Sequence, residues 1–290
     1  MLTPRVAAIH DMSGFGRCSL TVAIPILSAM GIQCCPLPTA FLSTHTGGFE
    51  GFTFLDMTDE MPRVAAHWKS LNLEFQAIYS GFLGSERQIA IVADFIRQFR
   101  RPDTLVVIDP VMGDFGKVYQ TYTAGMCAGT ARLAELADVI TPNLTEAALL
   151  LDCPYDALPT GEAGCREIVE RLSLEGRRSV VLTGASGEPG TTGAVCFDAA
   201  TGRTGAVLTE RVPREFHGTG DVFASVLTGA LVQGADLFAA ARRAVEFVRV
   251  CGERTAAQDL PMREGVDFEP LLGLLVPQDG REPPLPHTGM

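Results

Sequence analysis

The chain is short of positive charge, of paired cysteines and of long apolar runs, and each shortage closes off a class of function. Lys and Arg number 23 against 34 Asp and Glu, a formal net charge of -11, so the average surface repels nucleic acid and anionic membrane alike. An anionic small molecule is still bindable through backbone N–H groups, helix N-termini and a metal ion. Eight cysteines form no C-x-x-C pair and lie scattered among apolar neighbours, the pattern of free thiols in a reducing cytoplasm. No apolar run reaches membrane-spanning length, and the run between Met1 and His10 is too brief for a signal peptide's hydrophobic segment. No charge run, Ser/Gly-rich stretch, Pro-rich linker or internal repeat divides the interior. The expectation is therefore one domain over 1–276, followed by a frayed tail, 277–290, that holds four prolines and two glycines.

What is present alternates. Val6 to Ile9 is a β-prone run ending at Asp11-Met12-Ser13-Gly14-Phe15-Gly16, and Ser19 to Met30 then has helical spacing of apolar residues. Ala77 to Tyr79 leads into Ser80-Gly81 and a helix whose apolar face is Ile89, Val92, Phe95, Ile96 and Phe99. Leu105 to Ile108 ends at Asp109-Pro110, Val139-Ile140 at Thr141-Pro142, and Val180 to Leu182 at Thr183-Gly184. Apolar runs without alternation suit strands covered on both faces, so a mostly parallel sheet flanked by helices is expected. Turn-rich sequence around 186–202, between Val195 to Phe197 and Val207-Leu208, predicts a small antiparallel edge. Two long helices follow, one opening at Gly218-Thr219-Gly220-Asp221 and one running from about Leu237 to Cys251.

In a parallel α/β sheet ligands sit at the carboxyl ends of the strands. Asp11, Ser80-Gly81, Asp109, Thr141 to Asn143 and Thr183-Gly184 all stand there. Turn-making and helix capping are the better explanation for any one of them taken singly; five together shift the balance toward a site. Gly218-Thr219-Gly220-Asp221 is the most specific element: glycines let a phosphate approach the backbone, first-turn N–H groups point at it, and a carboxylate stands beside them. Taken alone, the same four residues also read as a helix cap made by Thr219 or Asp221.

At these residues the chain resembles the ribokinase-like kinases, and within them the pyridoxal (vitamin B6) kinases. Gly218 to Asp221 is similar to their anion-hole signature, whose Asp is the base. Asp109-Pro110-Val111-Met112-Gly113-Asp114 resembles a segment shared with the hydroxymethylpyrimidine kinases, and Thr141-Pro142-Asn143-Leu144-Thr145-Glu146 resembles their T-P-N-x-x-E motif. Tyr79 to Ser85 and Ser43 to Thr46 look like pyridoxal-kinase stretches. The likeness runs to about Leu275 and implies a three-layer ribokinase-like fold.

The resemblance further implies ATP as co-substrate, Mg²⁺ placed by Glu146, and a K⁺-type ion among Asp109, Thr141 and Thr183. It assigns nucleotide contacts to Asp109, Asp114, Asn143, Thr183 and Gly184, and the pyridine pocket to Asp11, Thr46 and Phe82, with Phe82 where a Tyr is frequent. His45 is read as a loop histidine as readily as a catalytic one. Catalysis would use Asp221, ionised at neutral pH, with the amides of Gly218, Thr219 and Gly220. A homodimer is implied as well. The first loop departs from the pattern, since Asp11 stands where many pyridoxal kinases carry Ser; this leaves the vitamer open. The alternatives are a hydroxymethylpyrimidine kinase, against which Asp221 in place of a typical Cys speaks, a sugar or nucleoside kinase, and a non-catalytic B6-binding protein.

Overall fold

A computed structural model describes residues 3–277 except 215 and 259. The expected tail, apart from Pro277, lies outside the described residues. In chain order the first half comprises β1 (Arg5–Ser13), α1 (Ser19–Ala29), β2 (Gln33–Leu42), β3 (Phe54–Asp56), α2 (Met61–Ser70), β4 (Ala77–Ser80), α3 (Glu86–Phe99) and β5 (Leu105–Ile108). A two-stranded hairpin, β6 (Gly113–Asp114) and β7 (Lys117–Val118), leads to α4 (Ala124–Ala134), β8 (Val139–Ile140), α5 (Leu144–Leu150) and α6 (Gly161–Leu172). The chain then forms β9 (Ser179–Ala185), β10 (Thr191–Asp198), β11 (Arg203–Glu210), α7 (Thr219–Val232) and α8 (Leu237–Ala257).

Nine strands make one sheet in the order β11-β10-β9-β8-β5-β4-β1-β2-β3. The six from β9 to β2 pair in parallel, and antiparallel strands close both edges: β10 and β11 on one side, β3 on the other. The expected antiparallel edge is thus present, with a second at β3. The central strands are mostly buried, Ala77–Ser80 at every residue, as fits a sheet with helices on both faces.

One core joins the sheet to α2 through α6; the other joins it to α1, α7, α8 and a 3₁₀ segment, Glu269–Leu275. Helix α3 shows why these elements form. Ser85 caps it by accepting from the N–H of Gln88 at 3.2 Å, and Ile89, Val92, Phe95, Ile96 and Phe99 all turn into the core. Each such side chain contributes about 1.5–3 kcal/mol on burial.

The first strand runs further than its sequence suggests. The β1–β2 register shifts between His10 and Met12, and pairing resumes at Met12 with Phe41 and Ser13 with Leu42. Asp11 therefore sits at a bulge inside the strand, not in a loop after it, and a bulge re-aims a side chain.

Candidate active site

The site is built at the carboxyl ends of β1, β5, β8 and β9 and at the N-terminus of α7. Gly218 caps α7 in the left-handed region (φ 75°), and no side chain caps this end. The capping role open to Thr219 or Asp221 is therefore not used; the Thr219 hydroxyl instead meets the Phe216 carbonyl at 3.4 Å. A Cβ on Gly220 would meet no atom within 4 Å, so nothing in the fold demands glycine there. The first-turn N–H groups of any helix lack intrahelical partners, and here they open beside Asp221.

Asp221 keeps some solvent contact while protein surrounds most of it. Burial pushes its pKa up to about 7; the nearby backbone N–H of Ser19 pulls the other way, and the charges of Asp109 and Asp11 add to the rise. The expectation of a plainly ionised Asp221 is corrected accordingly: loss of water around the carboxylate outweighs the helix-end amides.

Asp11 is buried, its Oδ1 accepting from the Ser19 hydroxyl at 2.6 Å and its Oδ2 from the Ser13 hydroxyl at 2.9 Å. Burial raises its pKa against these two bonds. Ser19 thus bonds Asp11 and lies near Asp221. Sequence reasoning missed it, reading it only as the start of a helix.

Around β5 and β8, Asp109 Oδ1 accepts from the Thr141 hydroxyl at 2.9 Å, and both residues are buried. Burial first, and then the charge of Glu146, holds the Asp109 pKa well above the carboxylate range. Glu146 accepts from the N–H of Met112 at 3.1 Å and of Asn143 at 2.9 Å, and burial raises its pKa to about 7.

Asn143 caps α5 by accepting from the Glu146 N–H at 2.9 Å, while its Nδ2 donates to the Gly113 carbonyl at 2.9 Å. Both ends of that amide already bond the backbone. Asp114 stands exposed on the β6–β7 hairpin. Thr183 lies inside β9, two residues before its last, with its N–H on the Pro142 carbonyl at 2.8 Å, next to Gly184, at φ 69° with open space beside it.

The pyridine-pocket candidates are less tightly joined. Thr46 is exposed on the loop after β2, and Phe82 is half-buried after β4, 6.2 Å from Tyr122 between ring centroids. His45 serves its own loop: Nε2–H donates to the Arg263 carbonyl at 2.6 Å and Nδ1 accepts from the Gly47 N–H at 3.0 Å. Gln88, absent from the sequence-based candidates, is buried and holds the wall that carries Phe82. Its Oε1 accepts from the Gly84 N–H at 2.7 Å and its Nε2 donates to the Thr39 carbonyl at 2.8 Å. Nothing in its sequence context distinguishes it from any polar residue near a helix start.

Among the described residues no helix is long and apolar enough to cross a membrane, and the eight cysteines are free thiols.

The family model for phosphomethylpyrimidine kinase matches residues 24–263. A Bacteroides thetaiotaomicron protein assigned provisionally to that family, in a crystal form with pyridoxal, superposes with a TM-score of 0.89 at 46% identity over 94% of this chain and 96% of its own. The pyridoxal kinase of Lactobacillus plantarum gives a TM-score of 0.86 at 32% identity, covering 95% of this chain and 97% of that one. A pyridoxine/pyridoxal/pyridoxamine kinase of Bordetella avium is 32% identical over 258 residues, 83% of this chain and 80% of its own length. With the three-layer fold, the open glycine turn at α7 and relatives matched over most of its length, the chain belongs to the pyridoxal kinase family of the ribokinase-like superfamily.

Proposed function

We propose that the protein transfers the γ-phosphoryl group of ATP to the 5′-hydroxymethyl group of a B6 vitamer: pyridoxal, pyridoxamine or pyridoxine. The observation that carries the reading is the N-terminus of α7, where a left-handed Gly218 and an open Gly220 leave the first turn without a side-chain cap, with Asp221 in that same turn. Asp221 takes the hydroxyl proton as the oxygen attacks the γ-phosphorus; the new O–P bond forms, the bond to the β-phosphate oxygen breaks, and ADP leaves. The amides of Gly218, Thr219 and Gly220 hold the charge on the transferred group.

Asp11 accepts a hydrogen bond from the ring or its substituents, with Thr46 and Phe82 lining the same pocket. Asp109, Asp114, Thr183 and Gly184 border the nucleotide. Asn143 acts from behind, holding the β6–β7 hairpin to α5. Asp109 and Glu146 are buried carboxylates whose like charges oppose each other's ionisation, and a cation relieves that repulsion. Among the described residues no three His, Cys, Asp or Glu side chains stand together as an ion site. A site of one or two carboxylates completed by water and phosphate oxygens suits Mg²⁺. Bound there, Mg²⁺ neutralises charge on the phosphates; a K⁺-type ion would take the Asp109, Thr141 and Thr183 oxygens.

The domain of this reading is residues 1–276, and the working state is a cytoplasmic homodimer; the exposed Phe41, Phe54 and Leu55 at the β2–β3 edge are an apolar patch that a second copy would cover. The test is ATP consumption with pyridoxal, pyridoxamine, pyridoxine and hydroxymethylpyrimidine. Turnover of a B6 vitamer is expected. Turnover of hydroxymethylpyrimidine alone moves the chain to the neighbouring specificity, and binding of a vitamer without turnover makes it a B6-binding protein.

A further inference from the structure

Three consecutive carbonyls, each receiving a donor from a different loop of the site, make up a 3₁₀ turn, Met262–Glu264, that follows α8. The Met262 carbonyl accepts at 3.4 Å from the N–H of His217, the residue before Gly218 at the head of α7. The Glu264 carbonyl accepts at 3.2 Å from the N–H of Arg17, on the loop between β1 and α1. Between them the Arg263 carbonyl accepts at 2.6 Å from Nε2–H of His45, on the loop after β2 that carries Thr46. Of the three donors only His45 is a side chain. The Gly47 N–H donates to its Nδ1 at 3.0 Å, so Nδ1 carries the lone pair and the neutral ring keeps its proton on Nε2, facing a carbonyl that can only accept. The ring is buried and wedged between loops. A Cβ on Gly16 would lie 2.3 Å from its Cδ2, the Phe49 ring meets it edge-on at 5.0 Å, and the His217 ring lies 5.8 Å away between centroids. One nitrogen thus closes its own loop, while the other crosses 218 positions of chain to the turn.

We infer that His45 is a positioning residue: through the Arg263 carbonyl it holds the vitamer-side loop, with Thr46, in register with the segment that leads into Gly218, so that both halves of the site are set against one turn. The inference rests on the proposed kinase reading for its kinetic consequences. Vitamer binding and turnover should then fall together when the bond is lost, because reacting groups held out of line lose rate. The nucleotide residues Asp109 and Thr183 stand on β5 and β9, bonded to Thr141 and to the Pro142 carbonyl and not to this turn, so ATP binding is spared. Two substitutions separate the two bonds of the ring. Asparagine puts an acceptor near the Nδ1 position and stops short of Arg263. Glutamine carries an amide donor toward the Nε2 position and gives up the bond from Gly47.

The experiment is steady-state kinetics of His45→Asn and His45→Gln with each substrate varied in turn, together with melting temperatures and hydrogen exchange of the segments around Arg17 and His217. His45→Asn is expected to raise KM for the vitamer about tenfold and to lower kcat about tenfold, with KM for ATP unchanged. It should also speed exchange of the Arg17 and His217 amides several-fold, since both bond the turn that His45 steadies. His45→Gln is expected to keep both kinetic constants within about threefold of the parent and to leave that exchange as it was. The reverse pattern, a harmless Asn and a damaging Gln, would show that His45 serves its own loop alone and overturns the inference. So would equal losses in both variants, a change in melting temperature alone, or kinetic losses with unchanged exchange at Arg17 and His217, the mark of a ring that touches the vitamer directly. If the Asn variant does not fold, the Gln variant decides: parent-like kinetics and exchange uphold the bond to Arg263, and a loss in either overturns it. A parent protein that turns over neither a vitamer nor hydroxymethylpyrimidine sinks the kinase reading, and exchange then decides this inference by itself: faster in the Asn variant and not in the Gln variant sustains it, and unchanged in both removes it.

Discussion

The carbonyl oxygen of Arg17 occupies the space that a side chain on Gly218 would need: a Cβ there would lie 2.0 Å from it. Gly218 also has φ 75°. Two constraints thus fix glycine at the cap of α7, and both arise within the fold. Gly220, two residues on, has neither; no atom lies within 4 Å of its missing Cβ.

The two glycines should therefore respond differently to alanine. Gly218→Ala is expected to lower stability by about 2 kcal/mol or more, from the clash and the left-handed backbone together. Gly220→Ala should leave the melting temperature within a degree or two and still depress turnover, because its methyl group enters the space where the phosphate approaches. Thermal melts and turnover on both variants make the check. A large loss of stability for Gly220→Ala would show that its glycine serves the fold.

Asp11→Ala should raise KM for the vitamer and spare KM for ATP. A hydrogen bond to a charged group contributes about 1.5–3 kcal/mol, so the increase should be on the order of tenfold or more. Initial-rate kinetics with each substrate varied in turn make the measurement. An effect confined to ATP refutes the substrate-side assignment.

The pH dependence of Asp221 runs in opposite senses for activity and stability. Its pKa rises on folding from 3.8 to about 7, so the folded protein binds more protons between those values. Its stabilising contribution is full below the unfolded pKa and is lost as pH rises through about 7. Activity needs the ionised form, so kcat/KM for the vitamer should climb through the same region. Asp221→Asn lacks the titrating group, so its melting temperature relative to the parent should rise between pH 4 and pH 8. A gap that stays constant or narrows contradicts the assigned shift.

Much of this was readable from residues adjacent in the chain. Val106 to Ile108 and Val180 to Leu182 have only one comfortable environment, a sheet covered on both faces, and all six are buried. Asp109 and Thr141 fell just past their strands as expected, whereas Thr183-Gly184 and Asp11 lie inside theirs, where the strands run on past the apolar run. Strand β2 was hidden by Pro36 and Pro38, which lack N–H groups. It tolerates them because β3 pairs only with Ala40 to Leu42, leaving the proline stretch bordered on one side by β1 alone, as at a sheet edge. The Ser19–Asp11 bond was illegible for another reason. It depends on a backbone angle, and neither composition nor periodicity encodes a positive φ at a serine.

The central claim, that Asp221 receives the hydroxyl proton, is tested most directly by Asp221→Asn. Asparagine keeps the size and a side-chain oxygen, but it takes up no proton. Since no side chain caps α7, the substitution removes no cap. Turnover with ATP and pyridoxal should fall by roughly 10²–10⁴-fold while nucleotide affinity holds and the melting temperature at neutral pH does not decrease; near-normal turnover in the folded variant would contradict the account.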